Sequence, residues 1–391
     1  MAAENILLLA TGILDSAFDS QVLDPCSFLI KNDVPASIVS YEPSAHWSKQ
    51  NRLEKLGGIP VPIISLRCLP FVGRLSCWFD GLRLRPLLTS STVVHARGAI
   101  NAYRYLRAGG DGERLLTDFR GVLGDEMTRY ANGISRLVER FRTREVDQMT
   151  KLVVQRSGRI LAVSEVLKRH LVEVYGADPE KITVVPCVVE EEKFAYSVEN
   201  RHKLRTAMGV DDRLVFLYCG GIEKWQGVEQ TIALFKKIKE IHPSSFLLFL
   251  TRAKPQATLM LQSQMDAQDF KILSVPHEDI ASYFHAADIG LLLREINPTN
   301  AVASPIKFSE YLVSGLPVIV NRGVGDTGLL VELLKAGEVI PEPNSFPEHL
   351  EWIPRSDAQR KALSSNAAKQ LSIKANYGGR IRKLYGFMDN S

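Results

Sequence analysis

Cysteine is scarce in this 391-residue chain. Its five cysteines, Cys26, Cys68, Cys77, Cys187 and Cys219, form no C-x-x-C and no zinc-ligand spacing. An odd, scattered set excludes a disulfide scaffold and argues for a reducing compartment, with each thiol packed as a small core hydrophobe. Long apolar runs are also missing. Stretches such as 246–250 fall far short of the ~18 residues a spanning helix needs. The amino-terminal apolar run has no positive residue before it and Asp15 soon after, which reads as a first strand and not as a signal peptide. There is no Asp-x-Asp, no internal repeat and no low-complexity tract. The net charge is only +4. The first 186 residues carry 24 Lys+Arg against 20 Asp+Glu, and the remainder carries 24 of each. So small an excess excludes a dedicated nucleic-acid binder, yet suits an anionic surface or a phosphate-bearing substrate.

Hydrophobic residues make up 45% and charged residues 24%, the composition of ordinary globular domains, and the length suggests two or three of them. Short β-branched runs alternate with helical periods, the pattern of an α/β chain with parallel sheets. Strands are predicted at 6–10, 36–40, 61–66, 92–96, 115–119, 159–163 and 182–185. A second series is predicted at 214–219, 246–251, 271–275, 289–293, 317–321 and 337–340. A long helix is expected over 125–156, an amphipathic one over 227–241, and a helical segment from 357 to the end. The reading is two doubly wound domains, 1–190 and 191–360, with 361–391 as a helix that is a candidate to cross back to the first. Ligands of such sheets bind beyond the carboxyl ends of the strands, so the loops there are the ones to read.

The strongest of these loops is Ser304-Pro305-Ile306-Lys307-Phe308-Ser309-Glu310-Tyr311, running on to Gly315-Leu316-Pro317. Pro305 opens a helix, Gly315 ends it and Pro317 starts the next strand. Lys307 and Glu310, spaced i, i+3, share one face. A helix start suits a diphosphate, Lys307 adds a full charge, and Glu310 offers two acceptors to a ribose diol. The bland alternative is a surface Lys–Glu pair worth ~0.2–0.5 kcal/mol.

This stretch resembles the donor-site signature of retaining GT-B-fold glycosyltransferases, the group that includes glycogen-synthase-like and sucrose-synthase-like enzymes. The resemblance implies two facing Rossmann-like domains with the nucleotide-sugar in the second. It implies a ribose contact for Glu310. The family's first Glu falls at Val302, so that pair is incomplete. The Ser-Pro-x-Lys form at 304–307 is similar to a bacterial polysaccharide-assembly branch, in which the backbone N–H groups around Ala303 and Ser304, with Lys307, would hold the phosphates. Gly220-Gly221-Ile222-Glu223-Lys224-Trp225-Gln226-Gly227 resembles the first glycine loop of the donor domain. Gly221 and Gln226 stand where the family has Arg and Lys, so Lys224 and Arg252 are the replacement cations, Lys224 beside Lys307 as a catalytic candidate. His277 lies in the stretch similar to the wall of the base pocket.

The first domain departs more from the family. Its usual glycine-rich loop is replaced by Gly12-Ile13-Leu14-Asp15-Ser16. Two clusters after strand ends, His95 with Arg97, and Asp118 with Arg120 and Glu126, resemble acceptor-side loops. Equally, Asp118–Arg120 reads as a structural ion pair and His95 as a core histidine. The segment 67–85 mixes Arg with Trp, Phe and Leu, as a headgroup-interface segment would. Gly73, Gly81 and Pro70 interrupt it, and an ordinary helix with a basic solvent face is the rival reading.

The resemblance therefore implies transfer of a sugar, with retention, from a nucleotide-diphospho-sugar to a glycan or lipid-linked glycan, as in surface polysaccharide assembly. It implies a cytoplasmic protein, with the inner face of the plasma membrane as a candidate site. No cofactor and no obligatory divalent metal are expected. Two alternatives stay open: a non-catalytic nucleotide-sugar-binding partner, and a GT-B sugar-nucleotide epimerase.

Overall fold

A computed structural model describes residues 5–13, 18–43, 61–69, 73–122, 135–343, 345 and 350–385. The chain divides into two units: Met1–Pro186 together with Asn376–Ser391, and Cys187–Ala375.

The first unit is built on seven parallel strands: β1 (Asn5–Thr11), β2 (Ala36–Pro43), β3 (Ile63–Cys68), β4 (Thr92–Arg97), β5 (Leu115–Phe119), β6 (Arg159–Ala162) and β7 (Ile182–Val184). Their order is β3-β2-β1-β4-β5-β6-β7. β4 and β5 are buried almost end to end. Both faces of a parallel sheet are covered by crossover helices, which explains their unbroken apolar runs. The helix Gly98–Arg107 follows β4 directly, and the helix Ser135–Arg156 leads into β6. The expected start of that long helix, at 125, lies outside the described residues.

The second unit carries β8 (Val215–Cys219), β9 (Phe246–Leu250), β10 (Phe270–Leu273), β11 (Ile289–Leu292), β12 (Val318–Asn321) and β13 (Gly337–Ile340). They run in the order β10-β9-β8-β11-β12-β13. Renumbered from one, this is the 3-2-1-4-5-6 order of a Rossmann sheet, and the order reverses between β8 and β11. Alternate residues face opposite sides. Val215, Leu217 and Cys219 join one core with Leu248, Val318 and Val320, whereas Phe216 and Tyr218 join another with Phe249 and Ile319. The helix Ile306–Val313 contributes Phe308, Tyr311 and Leu312 to the first of these cores. It therefore lies on the same side of the sheet as Cys219.

Every predicted strand is present, with ends displaced by three residues at most. The helical carboxyl-terminal segment is broken into Asp357–Leu371, Ile373–Tyr377 and Ile381–Tyr385. The break at Ser372 has a cause. The Val189 N–H donates to Leu371 O at 3.0 Å and the Ile373 N–H donates to Val189 O at 2.9 Å, so the backbone pairs with 189 instead of continuing the helix. The first piece starts at a capping box of Ser356 and Gln359 and docks by Ser364, whose Oγ donates to Val313 O at 2.5 Å. All five cysteines are buried and unbonded to one another.

Candidate active site

The helix Ile306–Val313 begins after Pro305, whose missing N–H costs nothing at a helix start. Lys307 and Glu310 lie one turn apart, and the Lys307 Nζ donates to Glu310 Oε2 at 2.5 Å. The Glu310 side chain is 2% exposed and that of Lys307 19%. Burial pulls the Lys307 ammonium down, but the Glu310 carboxylate it donates to helps outweigh burial, and its pKa lies above the ordinary lysine value. Cys219, the last residue of β8, is pushed up to about 11 by burial and stays a neutral thiol. Arg252, just past β9, is exposed and close enough to oppose the Lys307 charge. Four predicted or neighbouring groups thus converge: Lys307, Glu310, Arg252 and the end of β8 that leads into Gly220. This is where a doubly wound sheet binds ligands.

The glycine loop is anchored at both ends. The Gly220 N–H donates to Leu250 O at 3.0 Å, and the Tyr218 hydroxyl donates to Gly221 O at 2.5 Å. Gly227 has φ +65°, and a Cβ there would stand 2.7 Å from Leu293 O. Only glycine lets this loop close against the end of β11. Lys224 is exposed in the single 3-10 turn Lys224–Gln226. The Cβ position of Gly221 lies 2.0 Å from Glu223 Oε2, so the space where the family's Arg would begin is filled by Glu223.

Two expectations about the Ser304 loop change. The N–H of Ala303 is not offered to a ligand; it donates to Asn300 O at 3.1 Å, because the short helix Pro298–Ala301 closes with a turn. The Ser304 hydroxyl accepts from Cys187 N at 3.0 Å, and the Ser309 hydroxyl donates to Cys187 O. Ser304 therefore ties its loop to the start of the unit. Val302, in the place of the family's first Glu, is 5% exposed. His277 is half-buried, its ring 6.5 Å from that of Phe194; Phe194 stacks on Phe284, whose ring centre lies 5.7 Å from the Lys307 Nζ.

Positioning residues missed from the sequence tie the loops after β8 and β11 together. The Arg294 Nη1 donates to Gln226 O at 3.1 Å, and Asn321 Oδ1 accepts from Arg294 N at 2.8 Å. Asn300 Nδ2 donates to Trp225 O at 3.1 Å and Glu295 O at 2.8 Å. Arg294 lies two residues past the end of β11, and that place at a strand's carboxyl end was the available signal. For Asn300 no local signal exists.

In the first unit the structure brings His95, Asp118 and Arg120 together. Asp118 Oδ2 accepts from Arg120 Nε at 2.8 Å and lies 3.5 Å from His95 Nε2. His95 Nδ1 shares a hydrogen bond with the Tyr385 hydroxyl at 2.9 Å. Burial pushes the Asp118 carboxyl up, but Arg120 and His95 prevail and hold it down at about 2. His95 and Asp118 are 4% and 2% exposed, so this chain of contacts pins the carboxyl-terminal segment to β4 and β5. Arg97, at the end of β4, donates from Nε and Nη2 to Gln21 Oε1 at 3.0 and 2.6 Å. Glu126 lies outside the described residues. Nearby, Arg104 donates to Thr11 Oγ1 at 3.0 Å and pairs with the fully buried Asp80 at 2.9 Å. Among the described residues there is no cluster of His, Cys, Asp and Glu suited to a metal ion.

Comparison with known proteins gives this arrangement a setting. Residues 26–193 match the Glycosyltransferase Family 4 model and residues 200–370 match Glycosyl transferases group 1. A D-inositol 3-phosphate glycosyltransferase of Kineococcus radiotolerans is 26% identical over 249 residues, 56% of this chain and 54% of the relative. The putative teichuronic acid biosynthesis glycosyltransferase TuaH of Bacillus subtilis is 25% identical over 262 residues, 63% of this chain and 62% of the relative. The chain spans about half the length of the curated relatives it matches. The structure of Anabaena HepE in complex with UDP superposes with a TM-score of 0.69 at 14% identity, covering 98% of this chain and 100% of that one.

Proposed function

This chain belongs to the GT-B-fold glycosyltransferases, and we propose that it transfers a sugar from a nucleotide-diphospho-sugar to a sugar hydroxyl with retention at the anomeric carbon. The observation that carries the reading is the buried Glu310 paired with the partly buried Lys307 beside the end of β8. When the bond from the anomeric carbon to the phosphate oxygen breaks, its electron pair leaves with the nucleoside diphosphate. Preorganised positive charge on those oxygens stabilises the transition state. Lys307 is the principal donor of that charge, with Arg252 and Lys224 as exposed partners. Glu310 accepts from the ribose hydroxyls. A UDP-bound structural neighbour makes UDP-sugars the first donors to try.

The relative named for teichuronic acid biosynthesis supports a surface polysaccharide, assembled on a lipid-linked glycan at the inner face of the plasma membrane, as the acceptor. Among the described residues no helix is long and apolar enough to cross a membrane.

The test is the anomeric configuration of the product, read by NMR from a single turnover with a UDP-sugar and a soluble glycan. The same configuration in donor and product is expected; an inverted product would overturn retention. One observation favours a second reading: Val302 is a buried aliphatic where the family places a carboxylate. A non-catalytic nucleotide-sugar-binding protein would bind the donor and neither transfer nor hydrolyse it.

A further inference from the structure

The helix Arg74–Leu84 wears its apolar residues on the wrong side. Its inward positions are Ser76, Cys77, Asp80, Gly81 and Leu84, all buried. Four of these five are small or polar. A Cβ at Gly81 would stand 2.7 Å from Arg104 O, so the helix packs closely on Gly98–Arg107, and Asp80 answers the buried Arg104. The apolar residues point out: Leu75 is 68% exposed, Trp78 42%, Phe79 45% and Leu82 42%. Their spacing, i, i+3, i+4, i+7, makes one continuous stripe. A surface helix ordinarily turns that stripe to the core. The basic solvent face considered from the sequence is therefore an apolar face with a basic rim.

The rim carries cations. Arg74, Arg83 and Arg85 are exposed, and the Arg83 Nη1 donates to Arg67 O at 2.7 Å, which sets exposed Arg67 against the same edge. Asp80, the one acid between 63 and 87, is fully buried and paired. Glu145, on the neighbouring helix, is the acid acting on Arg74.

We propose that this face seats the first unit on an anionic lipid bilayer, with Leu75, Trp78, Phe79 and Leu82 among the headgroups and acyl ends. Arg67, Arg74, Arg83 and Arg85 would contact the phosphates. Trp at the interface and Arg beside anionic headgroups are the residue types such a surface recruits. A second copy of the chain fits worse. A two-fold contact would set one arginine rim against another with no exposed acid of the segment between them. The inference gains its purpose from the lipid-linked acceptor proposed above, but its test needs neither donor nor acceptor.

The experiment is flotation of the full chain with vesicles of phosphatidylcholine, alone or mixed with phosphatidylglycerol. Binding to the anionic vesicles is expected, and weaker binding at high salt. The double variant Trp78→Ser, Phe79→Ser should lower the partition coefficient at least about tenfold. Its unfolding midpoint and its turnover of a soluble acceptor should not change, because both side chains are exposed and outside the donor site. Equal flotation of variant and parent would overturn the proposal. So would failure of the parent to float, or a dimer of the parent that the double variant dissociates. A parent that turns over a soluble acceptor but does not float would condemn the surface alone; a parent that floats but does not turn over would condemn the transfer reading alone.

Discussion

Lys307→Ala should lower turnover by about 10²–10³-fold, the loss that follows removal of one preorganised group from developing negative charge. The size of the effect separates two accounts of the same contact. An ordinary i, i+3 Lys–Glu pair contributes ~0.2–0.5 kcal/mol and leaves turnover alone. This pair is not at an ordinary surface, since its carboxylate is 2% exposed. Removing the ammonium also leaves a buried charge unpaired, which destabilises the fold in its own right. The double variant Lys307→Ala, Glu310→Ala removes that charge. It should recover most of the unfolding midpoint lost in the single variant and none of the turnover. Turnover within about twofold of the parent in the single variant would sink the role of Lys307.

The largest expected effect on stability lies at the other end of the same sheet. Asp288 directly precedes β11. Its carboxylate accepts from Arg201 at 2.6 Å, Arg205 at 3.0 Å, Arg360 at 2.8 Å and the Val215 N–H at 2.9 Å. Burial pushes the Asp288 carboxyl up, and the three guanidinium groups overcome it and hold it below the ordinary value. Arg360 is drawn down to about 10, first by burial and then by Arg201. Asp288→Ala leaves three guanidinium groups facing backbone carbonyls with no counter-charge. The cost should be about 3–5 kcal/mol. At roughly 2–4 °C per kcal/mol for a domain of this size, the midpoint of the second unit should fall by roughly 6–20 °C. Because Asp288 stands at the amino end of β11, away from the loops that bind, nucleotide affinity below the transition should be unchanged. A midpoint that barely moves would mean that the carbonyls alone satisfy the arginines.

The strands were legible because fully buried parallel strands are written as compact apolar runs between turn residues. The Lys307–Glu310 pair was legible for a local reason: Pro305, Gly315 and the i, i+3 spacing all lie within one short segment. What was hidden depends on partners distant in sequence. Tyr385 meets His95 across 290 positions, so no local pattern could tell a pinned core histidine from an acceptor-side one. The Ala303 N–H was misread because its acceptor, Asn300 O, arises from a turn that the alternation of residue types does not announce. The face of the helix Arg74–Leu84 was left open between an interface segment and a basic solvent face for a related reason. Its inward side is chosen by the fit of Gly81 and Asp80 to Arg104, and not by apolar periodicity.

The central claim is that the end of β8 and the helix Ile306–Val313 form a nucleotide-diphosphate site. The most direct measurement is the unfolding midpoint of the parent and of Glu310→Ala with UDP, GDP, ADP, CDP and their sugars. A ligand at 100 times its Kd stabilises by about 2.7 kcal/mol, a shift of roughly 5–11 °C for a domain of this size. The account predicts a shift with one base that the Glu310→Ala variant loses. No shift with any nucleotide, or a shift undiminished in the variant, would contradict it.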